Sequence, residues 1–177
     1  MEKVLNNSKL SSKQRALYLL LSVAAAVVLP QIFHAAGELT GTGAALGQAL
    51  LPMYFPVILL GFCAGPAYGA AAGVISPILS FAVSGMPAVA LLPFMTAELF
   101  CFGLFAGLIK KAKINFAIKV LAVQLAARLV RLAAVWIIRP AALNATLSAL
   151  ALGIPGIILQ LLLVPLIVKS LEKSGLC

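Results

Sequence analysis

Apolar and polar positions alternate along this chain in long blocks rather than at the short periods of an amphipathic soluble fold. A polar, basic opening, MEKVLNNSKLSSKQR, gives way to an apolar run from Ala16 to Phe33. A Gly-rich connection, GELTGTGAALGQA, leads into LLPMYFPVILLGFCA, which is short for a span and carries Pro52 and Pro56. Extended back through Ala44 it reads as a kinked second helix, because prolines in a span are tolerated where neighbours satisfy the freed carbonyls. Gly65-Pro66 marks a tight turn before a third run, Ala67 to Val83, and Ser84-Gly85-Met86-Pro87 marks another before a fourth, Ala88 to Ile109. The LIKKAKI stretch separates these from a fifth run, Ile114 to Ile138, which stops at Arg139-Pro140. A sixth run covers Leu147 to Val168 and ends in Lys169, Glu172 and Lys173. Most of these runs approach the roughly 20 residues needed to cross a hydrocarbon layer of about 30 Å.

The pattern predicts an all-α integral membrane protein, a bundle of six transmembrane helices. Its expected parts are an N-terminal segment 1–15, a membrane domain 16–170 and a C-terminal tail 171–177. The basic start, the apolar run and His34-Ala35-Ala36 imitate a secretory signal. Everything downstream is equally membrane-like, so this run is read as a retained first span.

Composition agrees with that reading. Hydrophobic residues make up 63% of the chain, charged residues 10%, and the mean hydropathy is +1.15. Soluble domains average roughly 45–50% apolar and about 25% charged. The formal charge of +9 would ordinarily suggest nucleic acid or an acidic partner. Placement overrides the total: Lys3, Lys9, Lys13, Arg15, Lys110, Lys111, Lys113, Lys169 and Lys173 all fall on one face of a six-span topology, with Arg139 on the other. That asymmetry predicts both termini in the cytoplasm and a cell-membrane location. No basic stripe interleaves with aromatics, so no nucleic-acid partner is expected. Cys63, Cys101 and Cys177 are odd in number and widely spaced, and are expected as buried thiols rather than a disulfide framework or zinc site.

Small residues recur at helical spacing: Gly61, Gly65, Gly69 and Gly73, then Gly103 and Gly107, and Ser22 with Ala26. Such faces let helix backbones approach closely, either within the chain or toward a partner's helix.

The chemistry concentrates in LAVQLAARLVRLAAVW. Gln124, Arg128 and Arg131 stand at i, i+4 and i+7, on one face of the fifth span. At 1.5 Å per residue, Arg128 lies roughly 22 Å above Lys113, Arg131 roughly 27 Å, and Glu98 roughly 18 Å above Lys110. Intramembrane charges either pair with one another or mark a ligand path. The expected pair is Glu98 with Arg128, which either locks two helices or lines a ligand site. It leaves Arg131 to snorkel to the interface or to receive a ligand carboxylate or carbonyl, contacts that a planar guanidinium suits. His34, Glu38, Tyr54, Trp136 and Asn144 fall near the same outer ends of spans and join the candidates, Tyr54 and Trp136 also being apt as interfacial anchors. No phosphate-cradling G-x-x-x-x-G-K-[ST] and no H-E-x-x-H occurs, and no nucleophile–base pair stands out. The chain is expected to catalyse nothing and to carry neither metal nor cofactor.

These motifs in this order resemble a known family. Leu51-Pro52-Met53-Tyr54-Phe55-Pro56-Val57, then Gly61, Gly65-Pro66-Ala67-Tyr68-Gly69, Ser76-Pro77 and Gly85-Met86-Pro87 resemble the substrate-binding membrane subunits, or S components, of energy-coupling factor transporters. Glu98 with Gly103 and Gly107 continues the likeness, as does Arg128 in the fifth span, over residues 16–170 as a whole. The chain departs from the pattern at Tyr54, where members often carry His, and at Ala127, where a glycine usually precedes the arginine. Ser22-x-x-x-Ala26 stands in for an Ala-x-x-x-Ala that contacts the coupling protein. The resemblance implies a six-helix bundle that holds a vitamin or related micronutrient near its outer face, beneath the loops joining spans one and two, three and four, and five and six. It also implies partners, a transmembrane coupling protein and two cytoplasmic ATPases that spend the ATP, and a carrier that tips over within the membrane lipid. The implied substrate-binding set is Arg128, Arg131, Glu98, Gln124, Tyr54, His34, Trp136 and Asn144, with Ser22 and Ala26 toward the coupling protein. The arginines admit pantothenate-like carboxylates, pyridoxine-like or other oxygen-rich heterocycles, folates and deazaguanine bases. The residues alone also admit a homo-oligomeric secondary transporter or channel with Glu98 and Arg128 on its pathway.

Overall fold

Helix signals and breakers in the sequence account for the order of elements in the structure, a computed structural model that describes residues 10–43 and 45–177. Helix α1 (Ser12–Leu39) begins at a capping box: Ser11 Oγ accepts from the Gln14 amide at 3.2 Å and Gln14 Oε1 accepts from the Ser11 amide at 2.8 Å. It therefore starts at Ser12, ahead of the apolar run. The second span is broken as expected, into α2 (Ala45–Leu50) and α3 (Tyr54–Ala64). The break falls at Leu51, a non-glycine residue in the left-handed region (φ 51°), followed by Pro52. Gly65, at φ 98°, turns the chain into α4 (Pro66–Ser84), whose first position is the proline that helix starts favour. Helices α5 (Leu92–Ile109) and α6 (Phe116–Ile138) follow, the latter capped by Asn115 Oδ1 accepting from the Ala117 amide at 2.9 Å.

The last apolar run departs from the expectation of a single sixth helix. It divides into α7 (Leu143–Leu152) and α8 (Ile154–Lys173), after a short 3₁₀ turn at Pro140–Ala142. Gly153 and Pro155 account for the break, since the proline lacks the amide that a continuous helix would use and suits a new helix start. Lys3, Lys9 and Ala44, which figure in the expected N-terminal segment and kinked second helix, lie outside the described residues.

The result is an all-α bundle with no strand among the described residues, and six of its helical spans are long and apolar enough to cross a membrane. Bands of large apolar side chains face outward, such as Leu17, Leu20, Leu21, Val28 and Ile32 on α1, or Leu121, Leu125 and Leu129 on α6. In water such a surface would drive aggregation; in lipid it is the ordinary outer surface of a span. The chain is a multi-pass membrane protein.

Helices α3, α4 and α5 form the tightest part of the core. A Cβ on Gly61 or Gly69 would strike the Gly103 carbonyl, and one on Gly73 would strike the Leu99 carbonyl. These glycines thus serve contacts inside the chain, where van der Waals packing must hold helices together without a hydrophobic driving force. Ser22 and Ala26 turn inward as well: Ser22 Oγ donates to the Pro56 carbonyl at 3.0 Å and Ala26 is fully buried. In this arrangement both pack within the chain, Ser22 also bordering a hollow beside α3, while α1 shows its outside through Leu17, Leu21 and Val28.

At the end holding both described chain ends, Cys63 and Cys177 form a disulfide across a Cα–Cα distance of 4.4 Å. This corrects the expectation of three free thiols, since wide separation in sequence says nothing of proximity once α8 returns beside α3. Cys101 remains a buried thiol. Lys110 lies beside this end, its Nζ donating to the Cys63 carbonyl at 3.2 Å. Burial holds its ammonium below the usual lysine range, with Arg15 and Lys111 acting the same way and Glu172 opposing them.

Candidate functional site

The end of the bundle opposite the Lys110–Lys113 turn gathers the polar side chains that the spans carry. Glu98, on α5, is fully buried, and its Oε2 accepts two hydrogen bonds: from the Tyr54 hydroxyl at 2.7 Å and from Arg131 Nη1 at 2.9 Å. Tyr54 comes from the start of α3, immediately after the Leu51–Met53 break, so the kink aims its phenol across the bundle at α5. Its ring packs edge-on against Phe102, with centroids 5.0 Å apart.

The ion pair therefore differs from the expected one. Arg131, and not Arg128, bonds Glu98; among the described residues this is the one salt bridge. The reason is register. Arg131 stands nearer the C-terminal end of α6, where it reaches across to Glu98, while Arg128, three residues earlier, is directed back along its own helix. Arg128 Nη1 donates to the Gln124 carbonyl at 3.2 Å and, more closely, to Gln124 Oε1, and its guanidinium lies 5.3 Å from the Phe102 ring centroid. Gln124 Nε2 donates onward to Gln160 Oε1 at 2.7 Å, and Gln160 Nε2 to the Leu51 carbonyl at 3.3 Å. A buried polar chain thus runs from Arg128 through α6 and α8 to the carbonyl of the strained Leu51. That carbonyl also accepts from the Tyr54 amide at 3.2 Å, so the break is held both locally and by a neighbouring helix.

Beside this cluster lies a cavity of about 260 Å³. Arg131 and Tyr54 form part of its wall, and α1 contributes Gln31 and His34, α2 contributes Gln48, and α4 contributes Ser80. Leu51, Met53, Leu91 and Met95 supply apolar lining, with Met86 and Pro87 from the α4–α5 connection and Ala149 from α7. His34 sits against Gly47, where a Cβ would come within 3.1 Å of the ring, so the glycine makes room for the imidazole. An apolar chamber with a few convergent polar groups is the ordinary form of a small-molecule site.

Of the expected site residues, Arg131, Tyr54 and His34 line the cavity, and Glu98 stands directly behind the first two. Arg128 and Gln124 are buried in the wall behind them and do not reach the cavity. Trp136 and Asn144 are placed elsewhere. Trp136 is 65% exposed on the outside of α6, as an interfacial anchor would be, and Asn144 is exposed at the start of α7, its carbonyl accepting from Ser148 Oγ. Sequence reasoning passed over Gln31, Gln48, Ser80 and Gln160. Gln31 carried a usable signal, since it stands three residues before His34 and shares its face of α1; Gln160 did so too, as a lone amide in an apolar span.

A second hollow, of about 290 Å³, lies at the other end among Tyr18, Leu59, Leu60, Leu171 and Leu176. It offers almost no hydrogen-bonding surface. Among the described residues no cluster of three or more His, Cys, Asp or Glu side chains comes together to hold a metal ion.

Comparison with known proteins returns no match: no family model, curated protein or solved structure is significantly similar to this chain.

Proposed function

We propose that this chain is the substrate-capture subunit of an importer of the energy-coupling factor type, and that the Arg131 cavity holds a vitamin-sized polar nutrient. The observation that carries this reading is the placement of a cation at the wall of a partly apolar chamber, at one end of a membrane bundle. Arg131 is anchored by Glu98, which is itself fixed by Tyr54, so the guanidinium is oriented before any ligand arrives. Such preorganisation lowers the entropy lost on binding. The lysine-rich turn at the opposite end supports a cytoplasmic placement of that end, with the cavity toward the outside, by the bias of basic residues. Helix α2, the connection that follows α4, and α7 border the chamber and are the natural elements to close over it.

On this reading the chain hydrolyses nothing; two ATPases and a transmembrane coupling protein act as partners. The test has two parts. Purified chain in lipid nanodiscs should bind one compound from a vitamin and precursor panel, and Arg131→Ala should weaken that binding by about 100-fold, the loss of a charge-assisted contact in a desolvated site. Unchanged affinity in the variant would remove Arg131 from the site. Affinity purification from native membranes should bring down the coupling protein and ATPases. Uptake by the chain alone in ATP-free liposomes would instead assign it to self-sufficient transport.

A further inference from the structure

We infer that the ligand of the Arg131 cavity is a monoanion, whose single negative charge completes a balance that the chain leaves open. This rests on the reading of the cavity as a capture site. The count comes from the acids. Among the described residues, Glu38 and Glu172 are exposed and Glu98 is the buried one, with 1% of its surface accessible. Arg131 pairs with that one carboxylate, while Arg128, buried on the same helix, has no acid partner among the described residues. Two guanidiniums against one carboxylate leave the cluster one surplus positive charge.

The donors repeat the count atom by atom. Arg131 spends Nη1 on Glu98, while its Nε is buried with no partner. Arg128 donates only to the neutral oxygens of Gln124 and lies over Phe102, and its Nε is likewise buried and unpartnered. Neutral acceptors and a ring face soften an intramembrane charge without cancelling it, and an uncompensated one is costly. One carboxylate brings the sum to zero. A neutral ligand leaves the surplus in place, and a dianion reverses its sign.

Placement of the charge follows from exposure. Arg131 lines the cavity with 13% of its side chain accessible, so the ligand carboxylate meets it there, on the side away from Glu98. Arg128 does not reach the cavity, and acts on the ligand as a positioning charge through the field it adds behind Arg131. The remaining polar groups that line the chamber are Gln31, whose Nε2 already donates to Ser84 Oγ at 2.9 Å, His34, Gln48 and Ser80, and they suit hydroxyl or amide groups on the ligand body. The expected class is therefore a small monocarboxylate with a hydrogen-bonding body.

Matched acid and neutral pairs test this. Wild-type chain in nanodiscs would be titrated calorimetrically with pantothenate and panthenol, nicotinate and nicotinamide, biotin and biotin amide, and with folate as a dianion. The tightest binder should be a monocarboxylate, with its neutral counterpart about 10- to 100-fold weaker, the worth of a charged hydrogen bond. A neutral compound or a dianion binding within about threefold of the best monoacid overturns the charge assignment while leaving capture standing. Failure of every compound to bind overturns both. Arg128→Met keeps the stem and removes the surplus charge; it should bring the acid-to-neutral ratio down to a few-fold. An unchanged ratio in a monodisperse variant removes Arg128 from that role.

Discussion

The two hollows of this bundle are close in size, about 290 Å³ at the disulfide end and about 260 Å³ at the Arg131 end, yet their walls differ in kind. The first is bordered mainly by leucines, with Tyr18 and Cys63, and its Ser22 hydroxyl already donates to the Pro56 carbonyl. The second has a fixed guanidinium, an imidazole, two amides and a hydroxyl turned toward the same space. Volume alone would rank them equally. An apolar hollow at membrane depth can be filled by any hydrocarbon, including lipid, and so selects nothing. The polar wall is costly to maintain in that setting and repays its cost only if something specific binds there.

This contrast can be broken most directly by filling each hollow in turn. Ala149→Trp places an indole in the Arg131 cavity and should reduce ligand affinity about 100-fold or more, since overpacking a formed site costs up to about 3 kcal/mol. Leu21→Trp, directed at the leucine-lined hollow, should leave affinity within about twofold. Equal losses from the two would refute the distinction. A smaller change is expected from Tyr54→Phe. Removing the phenol donor leaves Glu98 held by Arg131 alone, with a loss of about 1 kcal/mol, or about fivefold in affinity, and a lower melting temperature in detergent. If the melting point falls but affinity does not, Tyr54 serves the helix contact and not the site. The smallest effects belong to Trp136→Ala and Asn144→Ala, which should alter binding by less than about twofold because neither residue borders the chamber. A tenfold loss in either would mean that α6 or α7 turns inward when the ligand is bound.

The disposition of the arginines shows where sequence reasoning reaches its limit. Their shared face with Gln124, their depth and their need for Glu98 all follow from helical periodicity and from the cost of charge in hydrocarbon. Which of the two would take the carboxylate does not. Arg128 and Arg131 differ by less than one turn, and the outcome depends on how far α5 is displaced along α6. That displacement is set by the packing of α5 on α4 through Gly73 and Gly103, at positions remote from the charges. Trp136 was misplaced for a related reason: it lies toward the same end of α6 as Arg131, but it points outward around the helix.

The sequence by itself determined the class of protein, its spans, the break at Leu51-Pro52 and the identity of the buried ionisable groups. Each depends on local composition, on proline and glycine, or on the energetics of a single side chain in lipid. The tertiary structure decided the Glu98–Arg131 pair, the Cys63–Cys177 bond and the gathering of Gln31, His34, Gln48 and Ser80 around one cavity. These join residues far apart in the chain, and their meeting depends on the axial offset and rotation of whole helices. In this bundle those are fixed by close glycine contacts, whose spacing is visible in the sequence but whose partners are not.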